Sequence, residues 1–305
     1  MTDHPFSSLS DRDKEPGSKR VLDTWIAHAV GSTGIVERRL GWIVASSVAI
    51  AALQRAAYTD GRPRFLLKGG TYLEVRLGLR SRATTDIDAL FRGDFEDFLA
   101  TLDSCLEPWG VLELSRSEVT AIEYARRVVK PRRFRLQMSI KGKPWRSVDI
   151  EVAPSEGRMD EAVEAVPAPP LGHFGLPSPA ELAGIALDYQ VAQKLHASTD
   201  PHQPPDAANL RARDLVDLLL LRDAFYQDRG DLRSLRAACI DLFAARYTEA
   251  EQLQVEPRPW PPRVVAYPHW HSDYMNAAAE VGIDLTLDDA AEQLNEWIAA
   301  IDATT

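Results

Sequence analysis

Asp86-Ile87-Asp88 opens a run, Asp86 to Phe91, that alternates in the manner of a β-strand. Residues i and i+2 of a strand share a face, so two carboxylates must stand side by side. That is costly unless a cation neutralises them. Hard oxygen donors at this spacing suit Mg²⁺ (or Mn²⁺), which takes few protein ligands and leaves room for water and phosphate. Val148-Asp149-Ile150-Glu151-Val152 offers a third acid on another alternating strand. Asp149 points away from the face of Val148 and Ile150, and Glu151 shares its side and could substitute for it. A lone Asp-x-Asp is more often a solvated strand edge, so the surroundings have to decide.

Upstream, Phe65-Leu66-Leu67 reads as a short buried strand that runs into Lys68-Gly69-Gly70-Thr71, with Thr71 fifteen positions before Asp86. The stretch Thr71–Leu79 is expected to be a helix with Thr71 as its cap. Glycines let backbone N–H groups approach a phosphate, and a helix amino terminus favours negative charge. Gly69, Gly70 and Thr71 are therefore candidate nucleotide-binding residues, although a simple tight turn accounts for them in isolation. A glycine turn, an acidic strand and a later third acid form a rarer conjunction.

The rest of the pattern predicts an α+β fold. Helices are expected over Val21–Val30 and Ile35–Ala57, then the strand–turn–helix just described and an amphipathic helix over Phe95–Leu106. Strands are expected over Val111–Leu114, Ala121–Val129, Arg132–Ile140 and Ser147–Val152. Pro154–Ser178 is rich in Pro and Gly and marks a boundary. Helices follow over Pro179–Ala197, Ala207–Tyr226, Leu232–Ala245 and Leu287–Ile301. The expected organisation is a flexible tail (1–20), a mixed β-sheet lobe with leading and flanking helices (21–155) and a helical C-terminal lobe (156–305). The longest apolar stretch, Trp42–Leu53, is too short to cross a bilayer. Cys105 and Cys239 form no CxxC pair, and a cytoplasmic, non-membrane protein is expected.

The net charge of −10 argues against bulk attraction to nucleic acid, but it is unevenly spread. Residues 1–150 hold 24 Lys and Arg against 19 Asp and Glu. Arg126–Arg146 contains nine basic residues and no acid, including Arg126, Arg127, Arg132, Arg133 and Arg135. Screening confines exposed charges to about 8–10 Å, so a local basic face can hold a polyanion on an acidic chain. A solvated strand pair is the equal alternative.

The combined motif resembles the nucleotidyltransferase fold of the DNA polymerase β superfamily. The runs Phe65–Leu73 and Arg82-Ala83-Thr84-Thr85-Asp86-Ile87-Asp88 narrow this to a resemblance to the AbiEii family, the nucleotidyltransferase toxins of toxin–antitoxin systems that include the mycobacterial MenT group. Val191–Ala197, with Lys194, and Arg211–Leu218, with Asp214, are similar to that family's later helical motif. Thr71 stands where many members have Ser. The resemblance implies an NTP substrate, metal on Asp86, Asp88 and Asp149, and Lys194 and Asp214 as catalytic residues, with Lys194 on the triphosphate. It implies Arg211 as an RNA contact, Thr84 as a target of inhibitory phosphorylation and a cognate antitoxin as partner. The implied acceptor is the 3′ end of tRNA, whose modification would block translation. Two alternatives remain at this stage: a transferase acting on a small molecule or protein hydroxyl, and a non-catalytic binding module.

Overall fold

The computed structural model of the chain describes residues 6, 9–123, 127–205, 208–228 and 230–304. Helix α1 spans Lys19–Thr33 and α2 spans Glu37–Leu53; strand β1 (Phe65–Lys68) leads directly into α3 (Gly69–Leu77). Then come β2 (Asp86–Phe91), α4 (Phe98–Ser104), β3 (Glu113–Arg116), β4 (Thr120–Ala121), β5 (Arg132–Ile140) and β6 (Lys143–Pro154). The remaining elements are β7 (Val163–Pro167), β8 (Glu181–Ile185), α5 (Leu187–Ser198), α6 (Ala212–Phe225), α7 (Arg233–Gln252), α8 (His271–Val281) and α9 (Leu287–Asp302).

The chain divides into two compact units. The first comprises Met1–Leu79, Ala83–Ser155 and Val163–Ile185. It holds one mixed sheet in the order β3-β5-β6-β2-β1-β8-β7, with β4 alongside β5. β2 runs antiparallel to β1 and parallel to β6. Ile87, Ala89, Phe134, Val148, Ile150 and Val152 are buried, and the intervening residues carry the charges, so period-two patterning sorts the two faces. Phe98 of α4 packs its ring 5.6–6.4 Å from those of Phe65, Phe91 and Phe134, which closes the apolar face at one end. The β5–β6 hairpin turns through Lys141 (φ 52°) and Gly142 (φ 70°), the pair of positive angles that matches strand twist in a two-residue turn.

The second unit comprises Arg80–Arg82, Glu156–Ala162 and Ala186–Thr305. Within it α5 packs on α6 and α7, and α6 packs on α8 and α9. Thr286 caps α9 by accepting from the Asp289 amide at 3.2 Å.

Several expectations are corrected. The described part of the expected flexible tail is packed: Phe6 is buried edge-on against Phe174, and Arg12 donates to His173 O at 2.9 Å. Buried aromatic area, absent from composition arguments about polar tails, holds it. The Pro- and Gly-rich stretch after residue 154 is not an outright boundary, because β7 and β8 return to the sheet; α5 begins only at Leu187. Thr71 is not a cap, since Lys68 precedes the first turn and Thr71 lies inside α3. The strand expected over Ala121–Val129 shrinks to Thr120–Ala121, with 124–126 outside the described residues. Helix α6 starts at Ala212 because Asn209 draws the preceding segment away: its amide donates to Asp200 O at 2.6 Å and its Oδ1 accepts from Arg211 N at 2.9 Å. Helix α8 was not anticipated from the pattern.

Gly184 of β8 sits where a Cβ would lie 2.6 Å from the Tyr72 ring. Gly31, within α1, has nothing within 4 Å. Gly184→Val is expected to destabilise the fold by about 1–3 kcal/mol through overpacking. Gly31→Ala is expected to stabilise it by about 0.5–1 kcal/mol through helix propensity. Urea denaturation midpoints measure both.

Candidate active site

In the sheet unit, the strand-to-helix turn at Gly69 and the acid pair of β2 are in direct contact. Gly69 has φ +68°, a left-handed conformation that disfavours side chains, and a Cβ there would collide with the Asp88 carboxylate. Lys68 is the cross-strand partner of Asp88. The glycine therefore does two things: it starts α3 in the required conformation and lets Asp88 lie against the turn.

Asp86 is held from two sides. The Thr71 hydroxyl donates to its backbone carbonyl at 2.7 Å, and the Thr84 hydroxyl donates to its Oδ1 at 3.2 Å. The glycine turn suggests Thr71 as a cap or phosphate contact, and the family resemblance implies Thr84 as a modification target; their shared engagement of Asp86 is visible only in three dimensions. Thr84 is buried, so modification of its hydroxyl would require the segment before β2 to open.

Parallel pairing places Asp86 opposite Asp149 and Asp88 opposite Glu151. Four acids thus share one face of two adjacent strands. β5 answers with cations: Arg135 lies opposite Asp149 and Arg133 opposite Glu151. Arg135 makes a two-pronged bond to Asp149, at 2.7 and 3.0 Å, and Arg133 engages Glu151 through Nε at 2.9 Å. Hydrogen bonding from Arg135 holds the Asp149 carboxyl below the usual carboxylate range, and the same bond raises the Arg135 guanidinium. The expected basic face is corrected accordingly. Arg133 and Arg135 are committed to carboxylates because strand alternation points them onto β6. Arg132 is on the other side of the strand, 5.8 Å from the Phe95 ring. Arg127 is half-buried, and Arg126 lies outside the described residues.

The donor chemistry fits a divalent cation at Asp86 and Asp88, two hard oxygen ligands beside a glycine turn at a helix amino terminus. The expected set of three metal-binding acids is not pre-assembled, and among the described residues no group of three or more His, Cys, Asp or Glu is arranged around a common ion position. Asp149 is adjacent to Asp86 in register but is drawn to Arg135.

In the helical unit, Lys194 and Asp214 do meet. Lys194 Nζ donates to Asp214 Oδ1 at 2.8 Å and to Asp217 Oδ2 at 2.7 Å, and all three side chains are buried. Arg82 donates to both oxygens of Asp217, at 3.0 and 2.9 Å. Asp217 is thus the hub, a role that sequence reading missed. The available signal was its position three residues after Asp214, on the same side of a helix. Burial pulls the Lys194 ammonium down, but the two carboxylates outweigh it and the net shift is upward. Burial raises the Asp214 carboxyl, but Lys194, Arg211 and Arg82 together outweigh that and the net shift is downward. Arg211 is exposed and lies 3.8 Å from Asp214.

A sheet with an acid pair against a glycine turn is the framework of a nucleotidyltransferase. Residues 51–299 match the family described as nucleotidyl transferase AbiEii toxin, type IV TA system, and the chain belongs to that family. Among solved structures it is similar to MenT4, a nucleotidyltransferase toxin from Mycobacterium tuberculosis H37Rv. The two are 19% identical over 93% of this chain and 97% of that one, with a TM-score of 0.47. No curated protein matches the sequence. Family membership carries nucleotidyltransfer from an NTP, a divalent metal and a cognate antitoxin. No helix among the described residues is long and apolar enough to cross a membrane.

Lys194→Met leaves two buried carboxylates without their shared ammonium and is expected to cost about 3–5 kcal/mol at neutral pH. The depressed Asp214 pKa stabilises the wild type above the ordinary carboxylate range, and this is lost as pH falls through the depressed value. The raised Lys194 pKa contributes below the ordinary lysine value and is lost as pH rises through the raised one. In the variant, Asp214 can take up a proton, so the deficit should shrink towards about pH 4. Urea titrations at the two pH values test this.

Proposed function

We propose that the chain transfers a nucleoside monophosphate from a Mg²⁺–NTP to the 3′-terminal hydroxyl of an RNA, with tRNA as the acceptor class. The observation that carries this reading is the contact of the Asp88 carboxylate with Gly69 at the start of α3. It brings cation ligands and the amino end of a nine-residue helix to one point, where a triphosphate needs both.

Asp86 and Asp88 would hold the cation, which neutralises phosphate charge and favours departure of pyrophosphate when bound. Gly69 and Gly70 present backbone to the β- and γ-phosphates. Thr71 and Thr84 keep Asp86 in place, so the acid pair does not have to reorganise when nucleotide arrives. Asp149, the acid next to Asp86 in register, exchanges its Arg135 bond for the acceptor hydroxyl and takes up the hydroxyl proton. That oxygen then forms its bond to the α-phosphorus as the bond to pyrophosphate breaks. Lys194, Asp214 and Asp217 fix the start of α6, from which exposed Arg211 reaches the RNA backbone. A phosphate on Thr84 would replace its bond to Asp86 with up to about two negative charges, opposing nucleotide binding.

Incubation of the full chain with total tRNA, Mg²⁺ and each labelled NTP tests the proposal. Label is expected at RNA 3′ ends with at least one NTP. Asp86→Asn or Asp88→Asn should reduce transfer by about two orders of magnitude or more without loss of fold. Label in protein or in a small molecule alone would move the acceptor to that class. Absence of label everywhere would reject the reading.

Arg211→Ala should leave transfer at saturating RNA intact and weaken RNA binding. It should also reduce the slope of log affinity against log salt by about 0.7, the value for one single-strand phosphate contact. Fluorescence anisotropy over a salt series measures this slope.

A further inference from the structure

At the end of the β1–β2 pair away from the acids, two arginines stand together without a counter-ion among the described residues. The Arg92 amide donates to Arg64 O at 2.8 Å, which makes them cross-strand neighbours. Arg92 is only 4% exposed, and among the described residues its side chain donates to Pro63 O, at 3.2 Å. Arg64 donates through Nη1 to Thr101 at 2.9 Å, while its buried Nε has no acceptor. Neither forms an ion pair among the described residues. Both guanidinium carbons lie close to the Tyr58 ring, at 5.0 Å for Arg64 and 5.8 Å for Arg92. Arg62 is a third cation over that ring, but Asp60 neutralises it at 2.7 Å.

Burying like charges together is unfavourable. The Tyr58 ring attracts each cation but has no net charge to cancel two. The fold nevertheless builds the arrangement with care. The Tyr58 amide donates to Arg62 O at 2.9 Å, closing a tight turn below the arginines. Gly93 has φ +115°, and a Cβ on it would lie 3.2 Å from both Arg64 Nη2 and the Tyr58 hydroxyl. Glycine at that position keeps a side chain out of the space these two donors face.

We propose that Arg64, Arg92 and the Tyr58 hydroxyl, beside Gly93, form a binding site for a terminal phosphate, that is, inorganic phosphate or a phosphomonoester. Two guanidinium forks match the tetrahedral oxygens of such a group, and its charge of about −1.5 to −2 balances the pair. A backbone diester, with one charge, balances only half of it. Four residues of strand, about 13 Å, separate Arg92 from Asp88, so this site is distinct from the acid pair. It does not rest on the transfer reading above. The phosphate has two possible sources: a free phosphate or mononucleotide, and the 5′ end of an RNA.

Thermal melting of the full chain in phosphate against chloride at equal ionic strength tests the site. Wild type should gain several degrees in phosphate. Arg64→Gln should lose that gain and be no less stable in chloride, because it removes like-charge repulsion. Arg92→Lys keeps the charge but not the fork, and should lose most of the gain. Asp86→Asn should retain it, which keeps this test separate from any failure of nucleotidyl transfer.

Anisotropy with two RNAs of one sequence, one 5′-phosphorylated and one 5′-hydroxyl, identifies the source. A roughly tenfold preference for the phosphorylated RNA, lost in Arg64→Gln, assigns the ligand to an RNA end. Equal binding of the two, with an Arg64-dependent gain in phosphate or AMP, assigns it to a free phosphate. The proposal is overturned if no gain occurs, or if Arg64→Gln retains the full gain.

Discussion

The collision that any side chain at Gly69 would make with Asp88 governs the sheet unit. One residue in a left-handed conformation ends β1, begins α3 and admits a carboxylate against the turn. If this contact is lost, the acid pair no longer stands at a helix amino terminus, and the two halves of a nucleotide site come apart. The buried network behind it agrees: Glu74 of α3 accepts from Arg39 at 3.1 Å and Trp42 at 2.9 Å, which ties the helix to α2 and keeps the turn from shifting.

Charge on the sheet face is arranged in rows. Acids on β2 and β6 meet guanidiniums on β5 through register alone, without any one residue being unusual. Half-exposed pairs of this kind add little stability. Their effect is on the carboxylates themselves, because Arg135 lowers the Asp149 pKa and draws its side chain towards β5. The helical unit solves a different problem. There the ions are buried, and Lys194, Asp214, Asp217 and Arg82 satisfy one another, so deleting any member leaves an uncompensated charge.

The strand and helix periodicities were legible because burial follows them. Ile87 and Ile150 face the core while Asp86, Asp88 and Asp149 do not, as alternation requires. Proline and glycine content misled at residues 154–178, where β7 lies and just before β8, the two short strands that complete the sheet. Strands of five residues, β7 at the sheet edge and β8 beside it, leave too little pattern to outweigh breaker residues. The start of α6 was misplaced because its limit is set by hydrogen bonds of Asn209 to residues nine to twelve positions away.

By itself, the sequence determined the alternating acidic strands, the glycine turn, the helical character of α5, α6, α7 and α9 and, through its motifs, the family. These follow from local rules of period, conformation and spacing. Tertiary structure alone decided that Asp86 faces Asp149, that Arg133 and Arg135 neutralise acids in place of forming a basic face, and that Asp217 joins Lys194 to Arg82. It also decided that Arg64 and Arg92 adjoin without a counter-ion among the described residues. Each of these depends on which strand or helix lies next to which, and long-range pairing leaves no periodic trace in the chain.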